Sequence, residues 1–219
     1  YSSSTSSDYY FSDLNQENNS YHFNYTLKKE SHIANSIVLP MLGEHNVSNA
    51  LAAISVSTLL EINHERIFIS LASFKGIKRR FDIHISNKNI VYVDDYAHHP
   101  EEIKSTIAGV LKSFPNRKLK VIFQPHLYSR TKDFANEFAE SLSISDELIL
   151  LDIFPAREEP INGVDSKMLL DLCSNRSKSI LKKEEVISYL RENKNDLVLT
   201  LGAGDISDLV KPIINTLSS

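Results

Sequence analysis

With 219 residues, 42% of them apolar, the chain is long enough to bury a substantial core in one or two domains. Charged residues make up 24% and the formal net charge is −4, which excludes the basic footprint of a nucleic-acid binder. No apolar run approaches the roughly 20 residues of a membrane-spanning helix. The single cysteine, Cys173, leaves no internal disulfide framework and points to a reducing compartment. With no basic-then-apolar leader, the expected setting is cytoplasmic. Tyr1 stands where an initiator Met would, as in a processed chain or an excised piece.

The Ser-rich opening Tyr1–Ser7, and the polar stretch that runs on to Ser20, predict a loop or frayed end. Residues 21–28 alternate apolar and polar, and 33–39 carry Ile33, Ile37, Val38 and Leu39; together they predict a hairpin with one wet face. The period then changes. Val47, Leu51 and Ile54, with Ala50 and Ala53, mark one face of a helix over about 46–60, and Ile67, Leu71 and Phe74 mark a second, shorter one. A boundary is expected near residue 78.

Beyond it strands and helices alternate. Short apolar runs predict strands at 90–95, 119–123, 147–152 and 196–201, each covered on both faces. One helix is expected to bury Ile103, Ile107, Val110, Leu111 and Phe114, and another Phe134, Phe138 and Leu142. Further helices are expected near 165–173, 184–192 and 205–217, the last with a kink at Pro212. Such alternation predicts an α/β fold with a Rossmann-like, doubly wound, mostly parallel sheet. A hairpin over 81–93, turning at 86–89, would add an antiparallel edge.

Four polar clusters each follow a strand: Asp94-Asp95-Tyr96-Ala97-His98-His99-Pro100, Gln124-Pro125-His126-Leu127-Tyr128-Ser129-Arg130-Thr131, Phe154-Pro155-Ala156-Arg157-Glu158-Glu159-Pro160, and Gly202-Ala203-Gly204-Asp205. In a parallel sheet these loops share the carboxyl edge, where open α/β sheets bind ligands. In the first, Pro100, Glu101 and Glu102 are explained by a helix start; two aspartates and two histidines within six positions are not. A metal-dependent phosphoesterase is one reading of them, although adjacent His98 and His99 cannot easily face one ion. In the second, Arg130 offers a fork of donors matched to a carboxylate, and His126 a donor to an anion. Tyr128 reads as packing, and Gly202 and Gly204 as a close turn from strand to helix. Asn46 and Asn49, three apart at a helix start, offer carboxamides suited to the edge of adenine; a helix cap would equally explain Asn46.

Taken together, Gly-x-His-Asn-x-x-Asn-Ala (43–50), Arg-Arg-Phe (79–81), Asp-Asp-Tyr-x-His-His-Pro (94–100) and Gln-Pro-His-x-Tyr-Ser-Arg (124–130) resemble the Mur ligase family, in family order and over almost the whole chain. The resemblance implies that residues 1–78 are the tail of a central ATP-binding domain. Residues 79–219 would then be the C-terminal, amino-acid-binding domain. It further implies an ATP-dependent ligase that activates a muramoyl carboxylate as an acyl phosphate for attack by an amino acid. The last two motifs are similar to those of the member that adds L-alanine to UDP-N-acetylmuramate. A relative that recycles murein tripeptide has Phe after the aspartates and a different segment after Phe123. By residue, the resemblance assigns Asn46 and Asn49 to adenine, Arg80 to the nucleotide and Asp95 to the ribose. Tyr96, His98, His126 and Arg130 fall to L-alanine, with His98 or His126 as acceptor of the ammonium proton. Leu127 departs from the family, which often has a second arginine there, and this either weakens the charge available to hold alanine or shifts it to Arg130, with Arg157 as a further candidate.

No Gly-x-x-x-x-Gly-Lys-Ser/Thr phosphate loop occurs, and the magnesium ligands are expected outside these residues, so ligation by this chain alone is not expected. A non-catalytic Rossmann-like nucleotide-binding module is the reading from a different class.

Overall fold

Tyr21, Phe23, Tyr25 and Leu27 alternate along one strand and are all buried, as a strand with one core-facing side requires. The structure, a computed structural model, describes residues 2, 4–17, 19–28 and 32–218. The chain divides into two compact units, Tyr1–Ile77 and Lys78–Ser219. In the first, β1 (Tyr9–Glu17), β2 (Ser20–Leu27) and β3 (His32–Leu39) form an antiparallel sheet with β2 in the middle. Helices α1 (Glu44–Leu59) and α2 (His64–Ala72) follow. The expected hairpin is present, although the Ile33 side chain assigned to it lies outside the described residues.

The loop expected over the first 20 residues is overturned from Tyr9 onward. Tyr9 stacks on Tyr25 with ring centroids 6.5 Å apart, and Phe11 meets Phe23 edge-on at 6.0 Å. Asn24 Nδ2 donates to Asp13 Oδ2 at 2.7 Å where β1 bulges. Aromatic cross-strand packing outweighs the polar composition. Tyr1 and Ser3, within the Ser-rich opening, lie outside the described residues.

The second unit runs β4 (Asp82–Ser86), β5 (Val91–Asp95), α3 (Pro100–Ser113), β6 (Leu119–Phe123), α4 (Tyr128–Asp133), α5 (Ala135–Leu142), β7 (Glu147–Leu150), α6 (Ser166–Leu172), β8 (Ser177–Ile180), α7 (Val186–Glu192), β9 (Leu197–Leu201) and α8 (Val210–Leu217). Its sheet has the order β4-β5-β9-β6-β7-β8. Strands β5 to β9 are parallel, and β4 pairs antiparallel at one edge. The fold is thus mixed α/β around a mostly parallel sheet, as the alternation predicts. Every residue of β5, β6 and β9 is buried. On one face Tyr92, Ile122, Ile149 and Val198 pack with Leu190 and Ile213 of α7 and α8. On the other, Phe123 meets Phe138 of α5 at 5.6 Å.

Two details differ from expectation. Strand β8, Ser-Lys-Ser-Ile, carries almost no apolar signal because it is an exposed edge strand. The break in the last helix falls not at Pro212 but at Leu209–Val210, where a 3-10 turn over Asp205–Leu209 gives way to α8. Pro212 sits in the first turn of α8, where its missing N–H removes no helical bond. Among the described residues no helix is long and apolar enough to cross a membrane.

Candidate functional site

The two aspartates that end β5 do different work. Asp94 is fully buried: its Oδ2 accepts from Arg79 Nε at 2.8 Å and its Oδ1 from the Thr200 hydroxyl at 2.6 Å. Arg79 also donates through Nη2 to the Gly202 carbonyl at 2.6 Å, tying the start of this unit to the turn after β9. Asp95, 3% exposed, accepts from the backbone N–H groups of Phe81 and Ala97, both at 2.7 Å. Burial pushes its carboxyl above the ordinary range, against the pull of those two amides. Residues 79–81 are held by these contacts with Arg79 and Phe81 at φ of 59° and 50°. Arg80 is left exposed, its guanidinium 5.9 Å from the centre of the Tyr96 ring.

His98 and His99 diverge. His99 precedes α3 and packs its ring on Phe134 at 4.9 Å. Glu102 Oε2 accepts from the N–H groups of both histidines, at 3.1 and 3.2 Å, so one glutamate closes the helix start. His98 points instead toward the next loop, edge-on to Tyr96 at 5.1 Å and to His126 at 6.0 Å. Its Nδ1 lies 3.0 Å from the Tyr96 carbonyl and 3.5 Å from the Glu102 carboxylate. Both are acceptors, so Nδ1 carries a proton, and in the neutral ring the lone pair is on Nε2.

After β6 the chain passes His126 and turns into α4. Arg130 Nη1 lies 3.4 Å from His126 Nδ1. A guanidinium only donates, so this Nδ1 accepts and the proton of neutral His126 sits on Nε2. Burial first, then the positive charge of Arg130, hold the His126 imidazole below its ordinary pKa. An unfolded histidine takes up a proton as pH falls below about 6.5; folded His126 resists it. The unfolded chain then binds more protons, so stability should fall as pH drops through that window. Urea midpoints at pH 7.5 and 5.5 are expected to differ more in the parent protein than in His126→Gln. Arg130 itself is half-buried and, among the described residues, meets His126 and no carboxylate.

Gly204 allows the turn after β9 to approach this loop. A Cβ there would lie 2.7 Å from Phe154 and closer still to the Gln124 side chain, which bridges Asp205 and the Ile206 N–H. Gly202 has φ 138°, a conformation that L residues rarely adopt. The two glycines therefore shape the turn. The four loops do share the carboxyl edge, and Tyr96, His98, His126 and Arg130 come together there. Tyr128 starts α4 half-buried, and Arg157 is exposed.

In the first unit, Asn46 and Asn49 lie on the first turns of α1 and line a cavity of about 640 Å³ whose other walls include Ala50, Ile54, Ile67 and Leu71. Asn46 is buried and its Nδ2 donates to the Leu42 carbonyl at 2.7 Å; Asn49 is exposed. Asn46 does not cap α1, whose N-cap is Gly43. Among the described residues no three His, Cys, Asp or Glu side chains gather as a metal site would.

Sequence reasoning passed over Arg79, Asp94 and Glu158. Arg79 stood beside Arg80 in the same motif, and nothing local says which of the two turns inward. The Asp94–Thr200 contact joins residues 106 apart in the chain. Glu158 was visible only as one acid of a charged loop.

Residues 79–204 match the family described as Mur ligase, glutamate ligase domain. UDP-N-acetylmuramate–L-alanine ligase of Flavobacterium psychrophilum is 49% identical over 168 residues, 77% of this chain and 38% of that protein. The crystal structure of UDP-N-acetylmuramate–alanine ligase from Thermotoga maritima matches with a TM-score of 0.78 at 25% identity, over 96% of this chain and 46% of that one. MurF ligase from the same organism, solved in complex with ADP, shares the fold with a TM-score of 0.69 at 20% identity, over 96% of this chain and 47% of its own. The chain thus spans less than half the length of these relatives. A match over residues 79–204, more than half of the chain, makes it a member of the Mur ligase family.

Proposed function

We propose that this chain is the amino-acid-accepting part, with a share of the ATP site, of a ligase that joins L-alanine to UDP-N-acetylmuramate. The observation that carries the reading is Arg130: a half-buried guanidinium that meets His126 and, among the described residues, no carboxylate, with the His98 ring 6.0 Å from that of His126 at the carboxyl edge of the sheet. A guanidinium so placed has the fork of donors that suits a carboxylate. The relative at 49% identity is named for L-alanine, which supplies that anion as an α-carboxylate.

ATP, when bound in the complete enzyme, supplies the phosphoryl group that activates the muramoyl carboxylate. The residues here would bind and orient the nucleophile. Arg130 takes the alanine carboxylate in its fork, and His126 donates from Nε2 to the same group. His98, with its Nε2 lone pair, accepts the proton that the ammonium must lose before attack. Of the two candidate bases we favour His98, because the Nδ1 of His126 faces the Arg130 guanidinium. Tyr96 forms the wall between this site and Arg80, which we assign to the nucleotide.

The cavity lined by Asn46 and Asn49 suits adenine, because its lining is mostly apolar and includes these two carboxamides. Asn49 is the more accessible of the two, since Asn46 is buried, donates from Nδ2 to the Leu42 carbonyl and accepts at Oδ1 from Asn49 Nδ2 at 3.5 Å. Asp95 serves the nucleotide chiefly by clamping Phe81 and Ala97 on either side of Arg80 and Tyr96; a ribose hydroxyl would use a remaining lone pair. Magnesium would be held by parts of the enzyme outside this chain. A cytoplasmic setting fits the single buried cysteine.

The test is amino-acid-dependent phosphate release by the full-length protein supplied with ATP, magnesium and UDP-N-acetylmuramate. L-alanine should drive release and yield UDP-N-acetylmuramoyl-L-alanine by mass, while D-alanine and L-glutamate should not. Release with murein tripeptide and none with L-alanine would reassign the protein to the recycling relative.

A further inference from the structure

We infer that Glu158 is a positioning residue for the amino-acid carboxylate, holding Arg130 and His126 in place by capping α4 from the neighbouring loop. The need for such a group is local. Helix α4 begins at Tyr128 with Leu127 as its N-cap, and leucine has no side-chain acceptor for the first N–H groups. Leu127 also sits at φ 72° and ψ 133°, a strained conformation for a residue with a Cβ. Left to itself this turn would relax, and Arg130, three residues on, would move with it.

Glu158 supplies what Leu127 lacks. Its Oε2 accepts from the Ser129 N–H at 2.9 Å and its Oε1 accepts from the Ser129 hydroxyl. The hydroxyl first, then the N–H, hold the Glu158 carboxyl below the usual range, so it meets the helix start as an anion. The same loop grips the other end of the turn. Leu127 N–H donates to the Phe154 carbonyl at 2.9 Å, Phe154 N–H donates to the Pro125 carbonyl at 2.8 Å, and the Phe154 ring stacks on His126 at 5.7 Å. The strained Leu127–Ser129 turn is therefore pinned on both sides by residues 154–158, with His126 before it and Arg130 after it. Glu158 acts through Ser129. The adjacent Glu159 is exposed.

This inference rests on the reading of Arg130 as the carboxylate-binding residue, and the experiment separates the two. Steady-state kinetics of the full-length enzyme are compared for Glu158→Ala, Glu158→Gln, Ser129→Ala and Arg130→Ala, varying L-alanine and ATP in turn. Losing an N-terminal cap of this kind corresponds to roughly a ten-fold effect, so Glu158→Ala should raise KM for L-alanine about ten-fold and leave KM for ATP within about twofold. Glu158→Gln keeps an acceptor for Ser129 and should recover most of the loss. Ser129→Ala, which keeps its N–H contact, should show a smaller rise of the same kind, and it carries the test if Glu158→Ala does not fold. A rise for Arg130→Ala with none for the Glu158 and Ser129 variants overturns the positioning role and leaves the carboxylate reading standing. An unchanged KM for L-alanine in Arg130→Ala overturns that reading and the inference with it. A Glu158→Ala enzyme that loses kcat with both KM values unchanged also overturns the inference, because a merely structural contact would do that.

Discussion

Arg79→Ala is expected to destabilise the Lys78–Ser219 unit by about 3–5 kcal/mol, the cost of removing one partner from a buried ion pair. The Asp94 side chain has no exposure at all and that of Arg79 only 17%, so water cannot take the place of the lost guanidinium. The substitution also removes the Nη2 donor to the Gly202 carbonyl and leaves Asp94 with the Thr200 hydroxyl alone. In thermal unfolding this should appear as a midpoint lower by roughly 10–20 °C. The neighbouring Arg80→Ala, an exposed residue, should stay within about 0.5 kcal/mol of the parent. The double variant Arg79→Met/Asp94→Leu should recover much of the loss, since the damage comes from an unpaired buried charge rather than from absent attraction. If the single and double variants unfold together, the pair is not what holds this segment.

The contrast between these two arginines shows where local pattern stops. Val91, Val93, Val121, Phe123, Leu148 and Leu199 lie in short apolar runs, each followed by polar residues, so the parallel strands and their shared functional edge were legible. Tyr96, His98, His126 and Arg130 were legible for the same reason, since each lies just past a strand end. What stayed hidden depends on residues distant in the chain. Whether Arg79 or Arg80 turns inward depends on Thr200 and Gly202, which meet the 79–94 segment only when β9 inserts beside β5. Strand β1 hides among serines and asparagines because its stability comes from Tyr25 and Phe23 on the next strand. Glu158 caps a helix start 29 residues away, and a leucine at an N-cap gives no sign of where its substitute will come from. The motif residues proposed to touch ligands are thus easier to read than the residues that hold them, because positioning contacts are mostly non-local.

On the proposed role of Arg130, Arg130→Ala should lower kcat/KM for L-alanine by about 100-fold in the full-length enzyme, with most of the change in KM. The size follows from what stands nearby. Leu127 occupies the position where the resemblance leads one to expect a second arginine, and its strained backbone is bound into the turn rather than presenting a charge. Arg157 is exposed and makes no described contact with the histidines, so it does not replace the missing cation. His126 is held neutral at pH 7 by burial and by Arg130 itself, so it offers a single hydrogen bond and no charge. On the proposed reading, one guanidinium therefore carries nearly all of the electrostatic attraction for the amino-acid carboxylate. Arg130→Lys keeps the charge but not the planar fork, and should fall between alanine and the parent. Removing Arg130 also frees His126 Nδ1 and lifts the nearby positive charge, so the imidazole pKa should rise in Arg130→Ala; the C2 proton resonance of His126 followed against pH reads this directly. A large kinetic loss with no change in that titration would mean that Arg130 and His126 act separately. A small loss, below about fivefold, would mean that the carboxylate is held by another cation and that the site must be redrawn around it.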